Sequence, residues 1–146
     1  MTRFLYDTAV FAYALGREHR YREPCRWIVE QAGQERLQGE ASADLIQELL
    51  HQRTRSTGDR GLAARQARQV AALCALHEVR PGDVRRAIGL FESSQRLSAR
   101  DCVFAALALN RGIAVILSPD RDFDEVEGLR RIDPTHRAGI DALVPS

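Results

Sequence analysis

Ile113-Ala114-Val115-Ile116-Leu117 is apolar at every position and rich in β-branched side chains. A strand with one wet face alternates apolar and polar residues. A run without alternation reads as a strand buried on both faces, at the centre of a parallel sheet covered by helices. A second such run, Phe4-Leu5-Tyr6, stops at Asp7-Thr8, where a helix can start. Between them the chain is mostly helical in pattern. Ala9–Leu15 is closed by Gly16, and Pro24 sits in the first turn of a helix that buries Trp27, Ile28 and Ala32. Ser42 caps a helix running to about Arg53, with Leu45, Ile46, Leu49 and Leu50 as its stripe.

The remaining segments follow the same logic. Thr54–Gly61 reads as a polar loop and Leu62–His77 as one long helix. Val79 starts a short extended piece ended by Pro81-Gly82, and Asp83–Ser94 is helical. Ser98-Ala99-Arg100-Asp101 has the capping-box pattern for a helix over 99–110, with Gly112 as its C′ residue. Weak strands are expected around Leu37–Ala41 and at Arg131–Asp133. Helices alternating with short strands imply an α/β sandwich with a central, mainly parallel sheet. At 146 residues the chain is one domain, taken as residues 1–134 with a C-terminal extension over 135–146.

The charges exclude several chemistries. All 21 basic residues are Arg. Without lysine there is no Walker phosphate contact, no Schiff base and no lysine general base. Net charge is +1, so bulk charge selects no partner. Cys25, Cys74 and Cys102 fit no zinc spacing and are expected to be reduced and mostly buried, as in a cytoplasmic protein. Asp7 interrupts the N-terminus before any long apolar run, and no stretch is long enough to span a membrane. His19, His51, His77 and His136 have no paired spacing.

Four acids stand out by position. Asp7 follows the first strand, and Asp120 follows the strongest one in Ser118-Pro119-Asp120-Arg121-Asp122-Phe123. Sites in open α/β sheets form at such strand ends. Glu48 lies at the edge of a buried helix stripe, and Asp101 opens the helix leading into the strongest strand. Each also has an ordinary structural use: Asp7 as a cap, Glu48 as a solvated charge, Asp101 as the closing acid of its capping box, Asp120 in a polar turn. Gathered together they would repel, and a divalent cation with oxygen ligands would relieve that repulsion.

The run Phe4-Leu5-Tyr6-Asp7-Thr8-Ala9-Val10 resembles the opening of a PIN domain. Ser42–Leu49 with Glu48, Asp101-Cys102-Val103-Phe104-Ala105-Ala106-Leu107-Ala108, and Ser118–Phe123 followed by Gly128-Leu129 and Ile132-Asp133-Pro134 are similar to its later motifs, the last to the ending of VapC-type toxins. The resemblance covers about residues 3–134. It implies a three-layer PIN sandwich and a metal-dependent endoribonuclease toxin of a type II toxin–antitoxin system. The implied catalytic acids are Asp7, Glu48, Asp101 and Asp120. Asp7, Asp101, Asp120 and Asp122 would hold Mg²⁺, with Mn²⁺ as a substitute, and Thr8 and Ser118 would support the site. The implied partners are RNA, a small antitoxin encoded next to it, and a second copy of the chain. Val10, Phe11, Leu15, Trp27 and Ile46 are candidates for the antitoxin's apolar groove.

The basic segment from Arg53 to Arg68 carries Asp59 as its one acid. Arg53, Arg55 and Arg60 are the expected RNA contacts, since guanidinium forks suit phosphates and stack on unpaired bases. The alternatives are a stand-alone PIN nuclease in RNA maturation, a non-catalytic RNA- or protein-binding module, and a phosphatase built on Asp120-x-Asp122. The last lacks the lysine such enzymes use.

Overall fold

The computed structural model describes residues 2–146. Five short strands form one parallel sheet: β1 (Leu5–Tyr6), β2 (Glu40–Ser42), β3 (Ala75–His77), β4 (Val115–Leu117) and β5 (Arg130–Ile132). Their order is β3-β2-β1-β4-β5, every pair parallel. Helices flank the sheet: α1 (Thr8–Leu15), α2 (Arg22–Gly33), α3 (Ala43–Thr57), α4 (Arg60–Leu73), α5 (Pro81–Ser93), α6 (Ala99–Asn110) and α7 (Arg137–Asp141). They pack chiefly in pairs, α1 on α2, α3 on α4 and α5 on α6. The fold class is the expected α/β sandwich.

The two strongest strand signals lie side by side, with Leu5 opposite Ile116 and Tyr6 opposite Leu117. Both are fully buried, as unalternating runs require. The middle of the sheet is β1, however, and the Ile113–Leu117 run supplies the strand beside it. Residues Phe4, Phe11, Ile28, Leu45, Leu49, Leu107 and Phe123 fill the core around them.

Three local expectations are corrected. Thr54–Gly61 is not a loop, because α3 continues to Thr57 and α4 begins at Arg60. Thr54 and Thr57 hydroxyls bond back to the carbonyls of Leu50 and Arg53, at 2.7 Å each, so these side chains are satisfied within the helix rather than in a loop. Gly58 then ends it at φ 68°, a conformation glycine adopts without strain, and Asp59 caps α4 by accepting from Leu62 N–H.

Leu62–His77 is not one helix. It stops at Leu73, and Ala75–His77 pairs with Glu40–Ser42 as an edge strand. The extended piece expected from Val79 joins no strand, although Arg80 is extended at φ -100°, ψ 159°, and the helix expected from Asp83 opens two residues earlier, with Pro81 as its first residue.

Ser42 caps α3, and Gly112 follows α6 at φ 70°, both as expected. Residues 135–146 are not a loose tail: Ile140 and Leu143 are buried, and the Arg137 guanidinium lies 3.4 Å over the Trp27 ring. Cys25 and Cys102 are buried, and Cys74 is half-buried. Among the described residues no helix is long and apolar enough to cross a membrane. Of the groove candidates, Val10 and Phe11 are core, Trp27 is covered by Arg137, and Ile46 is half-buried against the core; Leu15, with Phe11 at its floor, lines an apolar cleft of about 370 Å³ between α1, α2 and α4.

Candidate active site

The strand order reverses direction at β1: β2 and β3 lie on one side, β4 and β5 on the other. In a parallel sheet the loops leaving two such neighbouring strands part to opposite faces and leave a crevice at their carboxyl ends. Asp7 leaves β1 there, and Ser118-Pro119-Asp120 leaves β4. An open cavity of about 580 Å³ lies at this place, lined by Asp7, Glu48, Asp101, Asp120 and Asp122 together with Tyr13, Tyr21, Gln52, Ser98 and Arg100. All five acids expected from sequence meet in it.

Each carboxylate is held differently. Asp7 is 6% exposed and stands at the N-cap position of α1. It approaches the Ala9 amide without reaching capping geometry, and its Oδ2 accepts a 2.6 Å bond from the buried Ser118 hydroxyl. Burial pushes its pKa up to about 6, helped by repulsion from Glu48 and Asp120 and opposed by Ser118.

Glu48 accepts from Thr8 Oγ1 at 2.8 Å, Gln52 Nε2 at 2.9 Å and Arg100 Nη1 at 2.7 Å. Thr8 and Ser118 thus stand directly behind two of the acids.

Asp101 resolves its two readings by where it faces. Ser98 Oγ accepts from Asp101 N–H, but the carboxylate does not return the bond to Ser98 N–H. It approaches Asp120 closely enough to share a proton, and burial together with repulsion from Asp7 and Asp120 lifts its pKa to about 7. Asp120 caps the short 3₁₀ turn Arg121–Glu125 through Asp122 N–H at 2.9 Å. Asp122 is raised too, by desolvation and by Asp120.

Among the described residues Arg100, which the sequence offers only as one of several basic residues in the middle of the chain, is the cation bonded to these acids. Its position one residue before Asp101 carries no separate signal. Of the expected RNA contacts, Arg55 and Arg60 are exposed at the α3–α4 turn and do not line the cavity. Arg53 stands in α3 rather than in a loop: it is 8% exposed, wedged between α3 and α4 with Nε donating to Gln66 Oε1 at 3.0 Å. Its stem packs a helix pair rather than hanging in a loop.

The donor set is all oxygen and short of positive charge, which suits a hard divalent cation. Among the described residues no three acids are drawn together closely enough to form a ligand group. The raised carboxyl pKa values mark the electrostatic cost that a cation would remove.

A pH prediction follows for the metal-free protein. Asp7 and Asp101 hold protons more tightly folded than in the unfolded chain, where an Asp titrates at about 3.9. The folded state therefore binds more protons between roughly pH 4 and 7, and stability falls as pH rises through that window. In chelator the melting temperature should rise on going from pH 8 to pH 5. It should fall again at lower pH, because Glu40, Asp83 and Asp133 are held below the usual carboxylate range. A flat melting profile from pH 5 to 8 would contradict the strained cluster.

The PIN domain family model matches residues 4–129. Ribonuclease VapC7 from Mycobacterium tuberculosis is 34% identical over 140 residues, which is 94% of this chain and 95% of that protein. Two solved structures share the fold. VapBC2 from Rickettsia felis, bound to a DNA fragment from its promoter, has a TM-score of 0.69 at 12% identity, covering 90% of this chain and 98% of that one. VapC20 from M. tuberculosis, a sarcin-ricin loop cleaving toxin, has a TM-score of 0.69 at 16% identity, covering 87% and 98%.

Proposed function

Given that this chain belongs to the PIN domain family, we propose that it is a Mg²⁺-dependent endoribonuclease acting in the cytoplasm as the toxin of a toxin–antitoxin pair. One observation carries the reading: five carboxylates from four separate elements line a single cavity at the sheet's switch point. The name of the relative, ribonuclease VapC7, supports RNA hydrolysis, and the toxin named among the structures that share the fold supports the toxin role.

Asp7, Asp101, Asp120 and Asp122 would hold the ion, with Mn²⁺ as a substitute. Bound there, a divalent cation activates a water and stabilises the leaving oxyanion of the phosphodiester. The protein's own groups do the rest. Ser118 fixes the orientation of Asp7. Thr8 and Gln52 fix Glu48, which faces the same cavity and is placed to accept a proton when Arg100 swings away. Asp101 and Asp120, close enough to share a proton, provide a second acceptor. Arg55 and Arg60, exposed at the α3–α4 turn, supply phosphate contacts away from the repelling acids. A small antitoxin would lay apolar side chains in the cleft lined by Phe11 and Leu15.

Asp101→Asn separates catalysis from folding. Ser98, not Asp101, caps α6, and burial disfavours the Asp101 charge, so this substitution should leave the metal-free protein no less stable than wild type, apart from a helix-terminus charge effect of about 1 kcal/mol or less. Cleavage should nonetheless drop by orders of magnitude. In cells, overproduced wild type should halt growth, the Asn variant should not, and the neighbouring reading frame should restore growth and co-purify. An active Asn variant removes Asp101 from the mechanism. Cleavage without toxicity or a binding neighbour leaves a nuclease of RNA maturation instead.

A further inference from the structure

We propose that Tyr13, His19 and Tyr21 form a platform on which an unpaired base of a single-stranded RNA stacks beside the carboxylates. The proposal rests on the ribonuclease reading and deepens it. The three rings form one cluster: Tyr13 and His19 stack at 4.5 Å between centroids, Tyr13 and Tyr21 lie at 5.4 Å, and His19 and Tyr21 are nearly parallel at 6.0 Å.

The cluster stands where two cavities meet. Tyr13 and Tyr21 line the carboxylate cavity. Tyr13 and His19 line a neighbouring cavity of about 430 Å³ with Arg17, Arg53, Ser56 and Thr57. Ala12, Tyr13 and Gln52 belong to both walls, so the two make one groove leading from the acids to Arg17.

The rings are fixed in place and yet open. Tyr21 is buried, and its hydroxyl donates to Asp133 Oδ2 at 2.8 Å. Tyr21 N–H donates to His19 Nδ1 at 3.2 Å, which orients the imidazole, and the Arg20 guanidinium lies 4.8 Å from the Tyr21 ring centroid. Exposure increases outward from buried Tyr21 through half-buried Tyr13 to exposed His19. His19 is exposed, with Tyr13 against its ring and Nδ1 held by the Tyr21 amide. A pinned but exposed ring adds little to the core and suits a ligand with a flat face.

Electrostatics select the ligand. Five carboxylates repel a polyanion, so the strand needs a nearby anchor that is neutral or cationic. Stacking on neutral rings, with Arg17 and Arg20 close by for phosphates, meets that need. A duplex keeps its base faces covered, whereas a loop or single strand can splay one out.

The test uses the Asp7→Asn protein, which should bind without cutting. Its affinity for a short labelled single-stranded RNA is measured by fluorescence anisotropy, beside the same strand annealed to its complement. His19→Ala should weaken single-strand binding about tenfold and leave duplex binding unchanged, while His19→Phe should retain it, as expected for stacking. An abasic nucleotide at one position should cause a similar loss that His19→Ala does not deepen. An affinity within about twofold of the parent, or an equal loss for duplex and abasic strands, overturns the platform. If His19→Ala instead weakens only the neighbouring protein's binding, the rings are a protein contact and the proposal also fails. Wild type that neither binds nor cuts RNA with Mg²⁺ or Mn²⁺ overturns the ribonuclease reading beneath it.

Discussion

In the Asp7→Asn variant, RNA cleavage should fall by orders of magnitude while the metal-free protein becomes no less stable than wild type. The two effects have one origin. Asp7 is buried against Glu48 and Asp120 with a single neutral hydroxyl, Ser118, as its strongest partner. An ionised carboxylate there costs folding energy that only a cation recovers. The amide keeps an oxygen for Ser118 and discards the charge, so the cost goes and so does the site's attraction for Mg²⁺. Wild type should therefore melt higher when Mg²⁺ is added, by mass action, and the variant should not. Paired melts in chelator and in millimolar Mg²⁺, with turnover of a labelled RNA, check both halves. A variant that still cuts RNA, or still gains stability from metal, would detach Asp7 from the site.

Asp83→Ala should be strongly destabilising although it lies far from the cavity, at about 3–5 kcal/mol, because it leaves the largely buried Arg111 guanidinium without its counter-charge. Asp83 is 2% exposed, and its oxygens accept from Arg80 N–H at 2.8 Å, Asn110 Nδ2 at 2.8 Å and Arg111 Nη1 at 3.0 Å. Although desolvation works against it, those donors hold the carboxyl below its ordinary range. The same group starts α5 and clamps it to the end of α6, so one truncation removes a cap and an interhelical tie. Asp83→Asn, which keeps an acceptor, should cost less. Denaturant melts of the three proteins measure the difference, and a loss below about 1 kcal/mol would class the pair with solvent-screened surface bridges.

What the sequence disclosed was whatever local chemistry settles alone. Unalternating runs marked β1 and β4, Ser42 and Ser98 marked two helix starts, and acids after strand ends marked the crevice. The misreadings have a common cause in long-range contacts. Ala75-Leu76-His77 has no β-branched residue and reads as helix. Its ladder to β2 and the 2.7 Å contact between His77 Nε2 and Glu40 Oε1 make it a strand. Arg53 looks like a solvated charge until α4 brings Gln66 against it. Arg100 reads as one of many surface arginines, and only the fold sets it against Glu48, 52 residues away. The aromatic cluster is equally hidden, since Tyr13, His19 and Tyr21 share no helical period and meet only through the turn between α1 and α2.

The Asp7–Ser118 bond joins positions 111 residues apart, and β1 cannot find its partner β4 until Leu117 exists. High contact order of this kind delays assembly until non-local strands pair. On the ribosome the first half of the chain holds Asp7 and Glu48 but has no crevice to set them in. Asp101 and Asp120 arrive only with the last third, and the sheet closes around them after that. On the proposed ribonuclease reading, the carboxylate site is therefore complete only once Asp120 has emerged, and it forms as a whole rather than by degrees.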